Sequence, residues 1–333
     1  VPRVLLLHTN REYAETLADA VTESDTDFEP LVVSRQPLLD RLKTLLTADI
    51  DLIQADELMV NGMLAAGASL VRQIPLVVSI RGWADYTNAH NQYGSLRERS
   101  IELRSKATLQ RTKSTLFISE ITEQAFKKRY NVCDATIVGR PIDIEAYADG
   151  TQRGRNTFDV LTVTNLRYKE KYKGVVMTLQ AMEPLFEEYP SLRFRIAGSG
   201  PYLEKLKKFL QTYNYSNRIS LLGFVDAIAD EYASADLFVY VSFLDSYATV
   251  ILEAQAAGLP VIGSDAVGIP ETVGNGGMLC DPTVEGIQAA LEHVISDDDL
   301  RYDLERRAQQ KIATHNAESA AAHIDVWERV LTN

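Results

Sequence analysis

The stretch Ser242-Phe-Leu-Asp245-Ser-Tyr-Ala-Thr-Val-Ile-Leu-Glu253-Ala-Gln-Ala-Ala-Gly258-Leu-Pro-Val-Ile-Gly-Ser-Asp-Ala-Val-Gly268-Ile-Pro-Glu271 follows one apolar run, Leu237–Val241, and contains a second, Pro260–Gly263. A helix is expected between the two runs, and Gly258 reads as its C-cap, feeding the second strand. Strand, helix, strand is the repeating unit of a parallel sheet. Asp245 and Glu253 stand eight positions apart, at the ends of a segment where loop passes into helix. Eight residues are just over two helical turns, so both acids can lie on roughly the same side. The backbone N–H groups where the helix starts have no intrahelical partners and suit an anion. An acid for hydroxyls, bare amides for phosphate and a second acid read together as a nucleotide-sugar site.

The same rhythm extends in both directions. In the first half, strands are expected at Arg3–His8, Pro30–Ser34, Leu52–Ala55, Leu76–Ile80, Thr115–Ile118 and Thr136–Val138, with helical periodicity between them, as in Tyr13–Val21 and Leu58–Val71. In the second half they are expected at Phe158–Thr164, Arg193–Ala197, Ile219–Leu222, Leu237–Val241, Pro260–Gly263 and Gly277–Leu279, with a helical end from Leu300 onward. Asp149–Asn156 is polar, contains glycine and lacks periodicity, which reads as a linker. The expectation is α/β with two Rossmann-like parallel-sheet domains, residues 1–150 and 157–315, and a C-terminal helix, 316–333, returning to the first. Two open sheets of this kind leave a cleft at their strand C-termini, where ligands bind.

A net charge of −12 argues against general nucleic-acid binding. The longest apolar runs, such as Val1–Leu7, are strand-length, and no charged leader with an apolar core is read at the start. Cys133 and Cys280 fit no metal or redox spacing and read as free thiols of a reducing cytoplasm. No metal or other cofactor is expected. Asp49-Ile-Asp51 has a metal-binding spacing but precedes its strand, and Asp297–Asp299 starts a helix, where the helix dipole favours acids. The histidines at 8, 90, 293, 315 and 323 do not pair at ligand spacing. Arg97–Arg140 carries twice as many Lys and Arg as Asp and Glu, which reads either as a solvated helix face or as a surface for an anionic partner.

Several strand-end loops carry chemistry. Val163-Thr-Asn-Leu-Arg167-Tyr-Lys-Glu-Lys-Tyr-Lys173-Gly174 places Arg167 and Lys173 on the loop after a strand, with a helix expected from about Gly174. Two cations there suit a leaving diphosphate. Lys169 and Lys171 read as plain surface lysines. Ile196-Ala-Gly198-Ser-Gly200-Pro201 lets the backbone approach a ligand, with Pro201 in the first turn of the next helix. Leu222-Gly-Phe-Val225 ends another strand at the same edge, and Gly268 precedes Pro270 where backbone can again approach.

In this order and spacing the motifs resemble the retaining glycosyltransferases of family 4, of GT-B fold. The resemblance covers Val160 to about Pro282: Arg167 and Lys173-Gly174, Gly198-Ser-Gly-Pro201, Gly223-Phe-Val225, Ser242 with Asp245 and Glu253, Ala256-Ala-Gly-Leu-Pro-Val261 and Gly268-Ile-Pro-Glu271. In the first half only Ile74–Gly82, Phe117–Glu120 and Arg140–Asp143 match, and loosely. The resemblance implies that Arg167 and Lys173 bind the diphosphate and Glu253 the ribose hydroxyls. Asp245 and the amides of Tyr247, Ala248 and Thr249 would hold the donor sugar and phosphate, with Gly198 and Val225 completing the donor site and Val225 touching the base. His8, Arg81, Trp83 and Asp85 are the candidate acceptor residues, and Tyr86 and His90 share their loop.

Three positions depart from the family pattern. Asp245 stands where Glu is usual, Arg81 where His is common after the fourth strand, and His8-Thr-Asn-Arg11 where a Gly-Gly turn often occurs. The resemblance further implies transfer from a UDP- or GDP-sugar with retention, without a covalent carboxylate nucleophile. A carbohydrate, lipid-linked or small-molecule hydroxyl is expected as the acceptor. Docking of residues 97–140 on an anionic membrane face from the cytoplasm is one expectation. A soluble transferase acting on a sugar phosphate or aglycone, and a non-catalytic nucleotide-binding subunit, are the alternatives.

Overall fold

The computed structural model describes residues 1–82, 95–148 and 156–332, with side chains described from 99 in the second segment. The chain divides into two compact units, one of residues 1–142 and 314–333, the other of 143–313. Residues 143–148, read from the sequence as part of the first domain, thus fall in the second unit, and the last residues complete the first.

The first unit runs β1 (Arg3–His8), α1 (Arg11–Glu23), β2 (Glu29–Ser34), α2 (Leu38–Thr47), β3 (Leu52–Asp56), α3 (Val60–Arg72), β4 (Leu76–Ile80), α4 (Ser95–Arg111), β5 (Thr112–Phe117), α5 (Glu120–Lys127) and β6 (Ala135–Ile137). Its six strands are parallel, in the order β2-β1-β3-β4-β5-β6. β3 and β4 are buried along their whole length, as central strands covered on both faces must be. The order reverses between β1 and β3, so the ends of these strands flank the switch point where open α/β sheets bind ligands. Asn10 starts α1 by accepting the Tyr13 N–H at 3.2 Å, and Ser119 caps α5 in the same way.

The second unit runs α6 (Glu145–Ala148), β7 (Phe158–Val163), α7 (Lys169–Glu188), β8 (Leu192–Ala197), α8 (Leu203–Leu210), β9 (Ile219–Gly223), α9 (Ile228–Ala233), β10 (Leu237–Tyr240), α10 (Thr249–Ala256), β11 (Val261–Ser264), α11 (Ile269–Val273), β12 (Met278–Cys280) and α12 (Val284–Ser296). Its six parallel strands are ordered β12-β11-β10-β7-β8-β9, with the switch point between β7 and β10. The long helix α13 (Asp298–Thr332) ends the chain, and from Thr314 its residues belong to the first unit. There Trp327 is fully buried and donates its indole N–H to Gln54 Oε1 at 2.8 Å. No described helix is long and apolar enough to cross a membrane.

The α/β expectation stands, and the expected strands recur with ends shifted by a few residues. One boundary matters for the site: α7 starts at Lys169, not near Gly174. Lys-Glu-Lys-Tyr-Lys is a run of adequate helix formers, and Glu170 in the first turn complements the helix dipole. Pro201 in turn precedes α8 and its cap Tyr202 instead of lying in the first turn.

Candidate active site

In the second unit the charged groups collect at the switch point. Asp245 lies on the loop after β10, its side chain 17% exposed. Lys171 Nζ is 2.8 Å from Asp245 Oδ1. Tyr240 donates its hydroxyl to Oδ2 at 2.6 Å, and Ser242 Oγ donates to the same oxygen at 2.7 Å. Burial, then the Asp245 charge, push the Tyr240 phenol well above its ordinary pKa, so it stays a proton donor. The Asp245 carbonyl accepts the Gly268 N–H at 3.0 Å, which pins the loop itself.

Lys171 was read as a surface lysine, and the structure corrects this: it is 7% exposed. With α7 starting at Lys169, Lys171 falls on the buried stripe that continues through Gly174, Val175, Thr178 and Leu179. A Cβ at Gly174 would collide with the Val241 carbonyl, so only glycine lets α7 pack this close to the end of β10. That approach carries Lys171 to Asp245.

The two cations expected to bind diphosphate sit differently. Arg167 is exposed in the turn between β7 and α7 and makes no ion pair among the described residues. Lys173 lies in the first turns of α7, exposed, with Nζ 4.0 Å from the centre of the Phe243 ring. Gly198 has φ +140°, and a side chain there would meet the Thr164 carbonyl. Its N–H donates to the Gly223 carbonyl at 2.6 Å, joining the ends of β8 and β9, and Val225 follows half-buried on the next loop.

Glu253, half-buried on α10, accepts at Oε2 from the fully buried Tyr232 hydroxyl at 2.9 Å. Thr249 opens α10 and Tyr247 is half-buried before it. Of the three amides expected to hold phosphate, that of Ala248 is engaged elsewhere: it donates to Thr272 Oγ1 at 3.2 Å. Thr272 follows the Gly268-Ile-Pro-Glu271 motif on α11, which packs against α10, so the motif closes this amide internally.

In the first unit the β1–β3 switch point holds a buried carboxylate that the sequence reading passed over. Asp56 ends β3 and is wholly buried. Its Oδ2 accepts from the Thr9 N–H at 2.9 Å and Thr9 Oγ1 at 2.6 Å and pairs with Arg81; its Oδ1 accepts from Asn61 Nδ2 at 2.6 Å. Burial opposes ionisation of Asp56, but the Arg81 charge and the two hydrogen bonds from Thr9 hold its pKa below the ordinary value. Arg81 is therefore tied to a buried acid, not to a surface one. His8 is 1% exposed and stacks on Tyr13, with ring centres 4.4 Å apart. Burial lowers its pKa to about 3, against the pull of Asp56, so the ring is neutral. Direct acceptor contact by His8 is at odds with this burial. Trp83, Asp85, Tyr86 and His90 lie outside the described residues. Within the basic stretch, Lys106 and Arg129 both pair with Glu102, at 2.7 and 3.7 Å, and Lys127 with Glu123. Among the described residues, no group of three or more His, Cys, Asp or Glu is arranged to hold a metal ion.

The family model described as glycosyl transferases group 1 matches residues 144–311, within the second unit and half of the chain. The chain belongs to this family. Among curated relatives in it, the chain is 29% identical over 157 residues to the sulfoquinovosyl transferase SQD2 of Arabidopsis thaliana, covering 45% of this chain and 30% of that protein. It is 28% identical over 156 residues to N-acetyl-alpha-D-glucosaminyl L-malate synthase of Bacillus anthracis (46% and 40%). It is 28% identical over 205 residues to phosphatidyl-myo-inositol mannosyltransferase of Mycolicibacterium smegmatis (59% and 52%). The matches thus span between about a third and a half of these relatives. Of solved structures, Anabaena Alr3699/HepE in complex with UDP and glucose superposes with a TM-score of 0.71 at 19% identity over 99% of both chains. A glycosyltransferase from Rickettsia africae gives 0.75 at 14% over 100% and 99%. At such identities the likeness establishes the GT-B fold.

Proposed function

We propose that this group 1 glycosyltransferase moves a sugar from a nucleoside diphosphate donor to a hydroxyl acceptor, with retention at the anomeric carbon. The observation that carries the reading is the cluster at the β7–β10 switch point. There Asp245 is held by Lys171, Tyr240 and Ser242. Arg167 and Lys173 stand exposed on the adjoining turn and helix, and Glu253 lies on α10. The UDP and glucose in the HepE structure support a UDP-sugar as donor. In this reading the bond from the anomeric carbon to the donor phosphate oxygen breaks and the bond to the acceptor oxygen forms on the same face. The acceptor proton passes to the departing diphosphate. Arg167 and Lys173 offset the charge that develops on that diphosphate. Asp245, engaged at both oxygens, orients the sugar and is poorly placed to act as a nucleophile. Tyr232 aims Glu253 at the ribose hydroxyls. No metal is needed for these roles.

The acceptors printed in the relatives' names include a phosphatidylinositol and L-malate, so both a membrane lipid and a small molecule are within reach. A lipid acceptor would bring residues 97–140 to an anionic membrane face. The test is incubation with a panel of UDP- and GDP-sugars, followed by NMR of the released sugar or product. Release of nucleoside diphosphate with an α-configured product from an α-configured donor supports the proposal. Nucleotide binding with no turnover of any donor sinks the catalytic reading, and an inverted product sinks retention.

A further inference from the structure

Two arginines converge on one aromatic ring in the first unit, and among the described residues only one of them forms an ion pair. The Arg81 and Arg140 guanidinium carbons each lie 5.8 Å from the centre of the Tyr13 ring. Arg81 pairs with Asp56 and donates to Thr9 Oγ1. Arg140, on the segment after β6, forms no ion pair among the described residues, and its Nε is buried with no hydrogen-bond partner. Its own backbone is fixed, since the Arg140 carbonyl lies 2.7 Å from His315 Nε2. Beneath them His8 is buried and stacked on Tyr13, with neither ring nitrogen bonded. Of the described acids, Asp56 pairs with Arg81 and its neighbour Glu57 also feels the Arg81 charge, while neither forms an ion pair with Arg140. Tyr13 and the neutral His8 add no charge. Arg140 is thus half-buried with no described acid paired to it, and its fork of donors suits a ligand. A guanidinium kept from water without an anion is costly, and a planar fork is suited to an oxyanion held by two parallel hydrogen bonds.

We infer that Arg140 and Arg81 form an oxyanion site, which takes the phosphate or carboxylate of the acceptor. The anion's role as part of an acceptor rests on the glycosyltransferase reading above; the site itself does not. Arg81, preset by Asp56, supplies a rigid set of donors. Arg140 supplies a guanidinium that no described acid pairs with. Tyr13 backs both with an aromatic face and sets their spacing. Acceptors with a phosphate or carboxylate near the reacting hydroxyl are then preferred over their neutral counterparts.

The test uses inorganic phosphate, with acetate in a parallel arm, titrated into the full chain by calorimetry or by NMR. The Arg167→Ala, Lys173→Ala background removes the exposed cations of the second unit, so that phosphate bound there does not interfere. In this background we expect saturable binding, weakened at least about 10-fold by Arg140→Gln and less by Arg140→Lys, which keeps the charge but not the fork. Binding of phosphate but not acetate assigns the site to phosphate, and the reverse to carboxylate. UDP binding to the single Arg140→Gln variant checks that the fold and the second unit are intact. Phosphate and acetate affinities unchanged by Arg140→Gln, or no saturable binding of either ion, overturn the inference. A wild-type chain that binds phosphate through Arg140 but turns over no nucleotide sugar overturns the proposed function and leaves this site standing.

Discussion

Lys171 Nζ and Asp245 Oδ1 lie 2.8 Å apart, so the first acid of the pair is held by a cation from α7. Tyr240 and Ser242 occupy the other carboxylate oxygen. A carboxylate held at both oxygens rotates little. Lys171→Met should therefore lower kcat by roughly 10–100-fold while the donor KM moves only a few-fold, because Lys171 acts through the placement of Asp245 and not on the nucleotide. Lys171→Arg should recover part of the loss. Steady-state kinetics with the active donor tests this. A Lys171→Met enzyme with wild-type kcat and a raised KM would make Lys171 a donor-binding residue instead.

Arg167 and Lys173 stand at the same edge as exposed cations, Lys173 resting on Phe243. In the proposed function their charge matters most when negative charge builds on the leaving diphosphate. The Arg167→Ala, Lys173→Ala variant should lose about 2–4 kcal/mol of transition-state stabilisation. In rate this is roughly a 30- to 1,000-fold fall in kcat. A variant that transfers sugar at the wild-type rate would remove both residues from the site.

Much of this was legible in the sequence because the parallel-sheet rhythm and the strand-end motifs are local signals. Gly198 and Gly268 are close to neighbouring backbone, as their motifs suggest, and Asp245 lies on the loop after β10 with Glu253 on α10. Lys171 was missed for a local reason too. Placing the helix start five residues late hid its position three residues before Gly174 on the buried stripe. Asp56, Tyr13 and Arg140 were missed for a different one. They come from separate elements, the end of β3, α1 and the segment after β6, and only the tertiary fold brings them to one place. A lone buried Asp at a strand end has no sequence periodicity to mark it. The closing of the Ala248 amide by Thr272 likewise depends on tertiary packing of two short helices.

Tyr232 holds the second acid from behind. Its hydroxyl is shared between Glu253 Oε2 at 2.9 Å and the Val250 carbonyl at 3.2 Å. Burial, then Glu253, raise the Tyr232 phenol well above its ordinary pKa, so it donates at every working pH. Tyr232→Phe removes one hydrogen bond to a charged group, worth about 1.5–3 kcal/mol at most. Part of that should appear as a UDP dissociation constant weakened roughly 3- to 10-fold, with Glu253→Ala weaker still. Calorimetric titration of UDP measures both. Unchanged UDP affinity in the Glu253→Ala variant would detach this acid from the nucleotide.

The first unit carries a titration signature independent of any substrate. His8 and His323 are buried, and burial lowers their pKa values to about 3 and about 4. Both rings are neutral in the folded chain, whereas an unfolded histidine titrates near 6.5. Below about pH 6.5 the unfolded state therefore binds protons that the folded state refuses. Stability is full above that value and falls as pH drops, until each folded-state pKa is reached. The slope is about 1.4 kcal/mol per pH unit for each histidine within its window. Asp56 does not contribute there. Its folded pKa is also held low, so its share is lost only as pH falls below about 3.9, the unfolded carboxylate value. Thermal denaturation at constant ionic strength should then show Tm level from pH 8 to 7 and declining from about 6.5 to 4.5. His323→Gln should flatten part of the decline, since glutamine fills the site without titrating. A Tm independent of pH across this range would mean that the two rings are not held neutral against Tyr13 and Ser319 as found here.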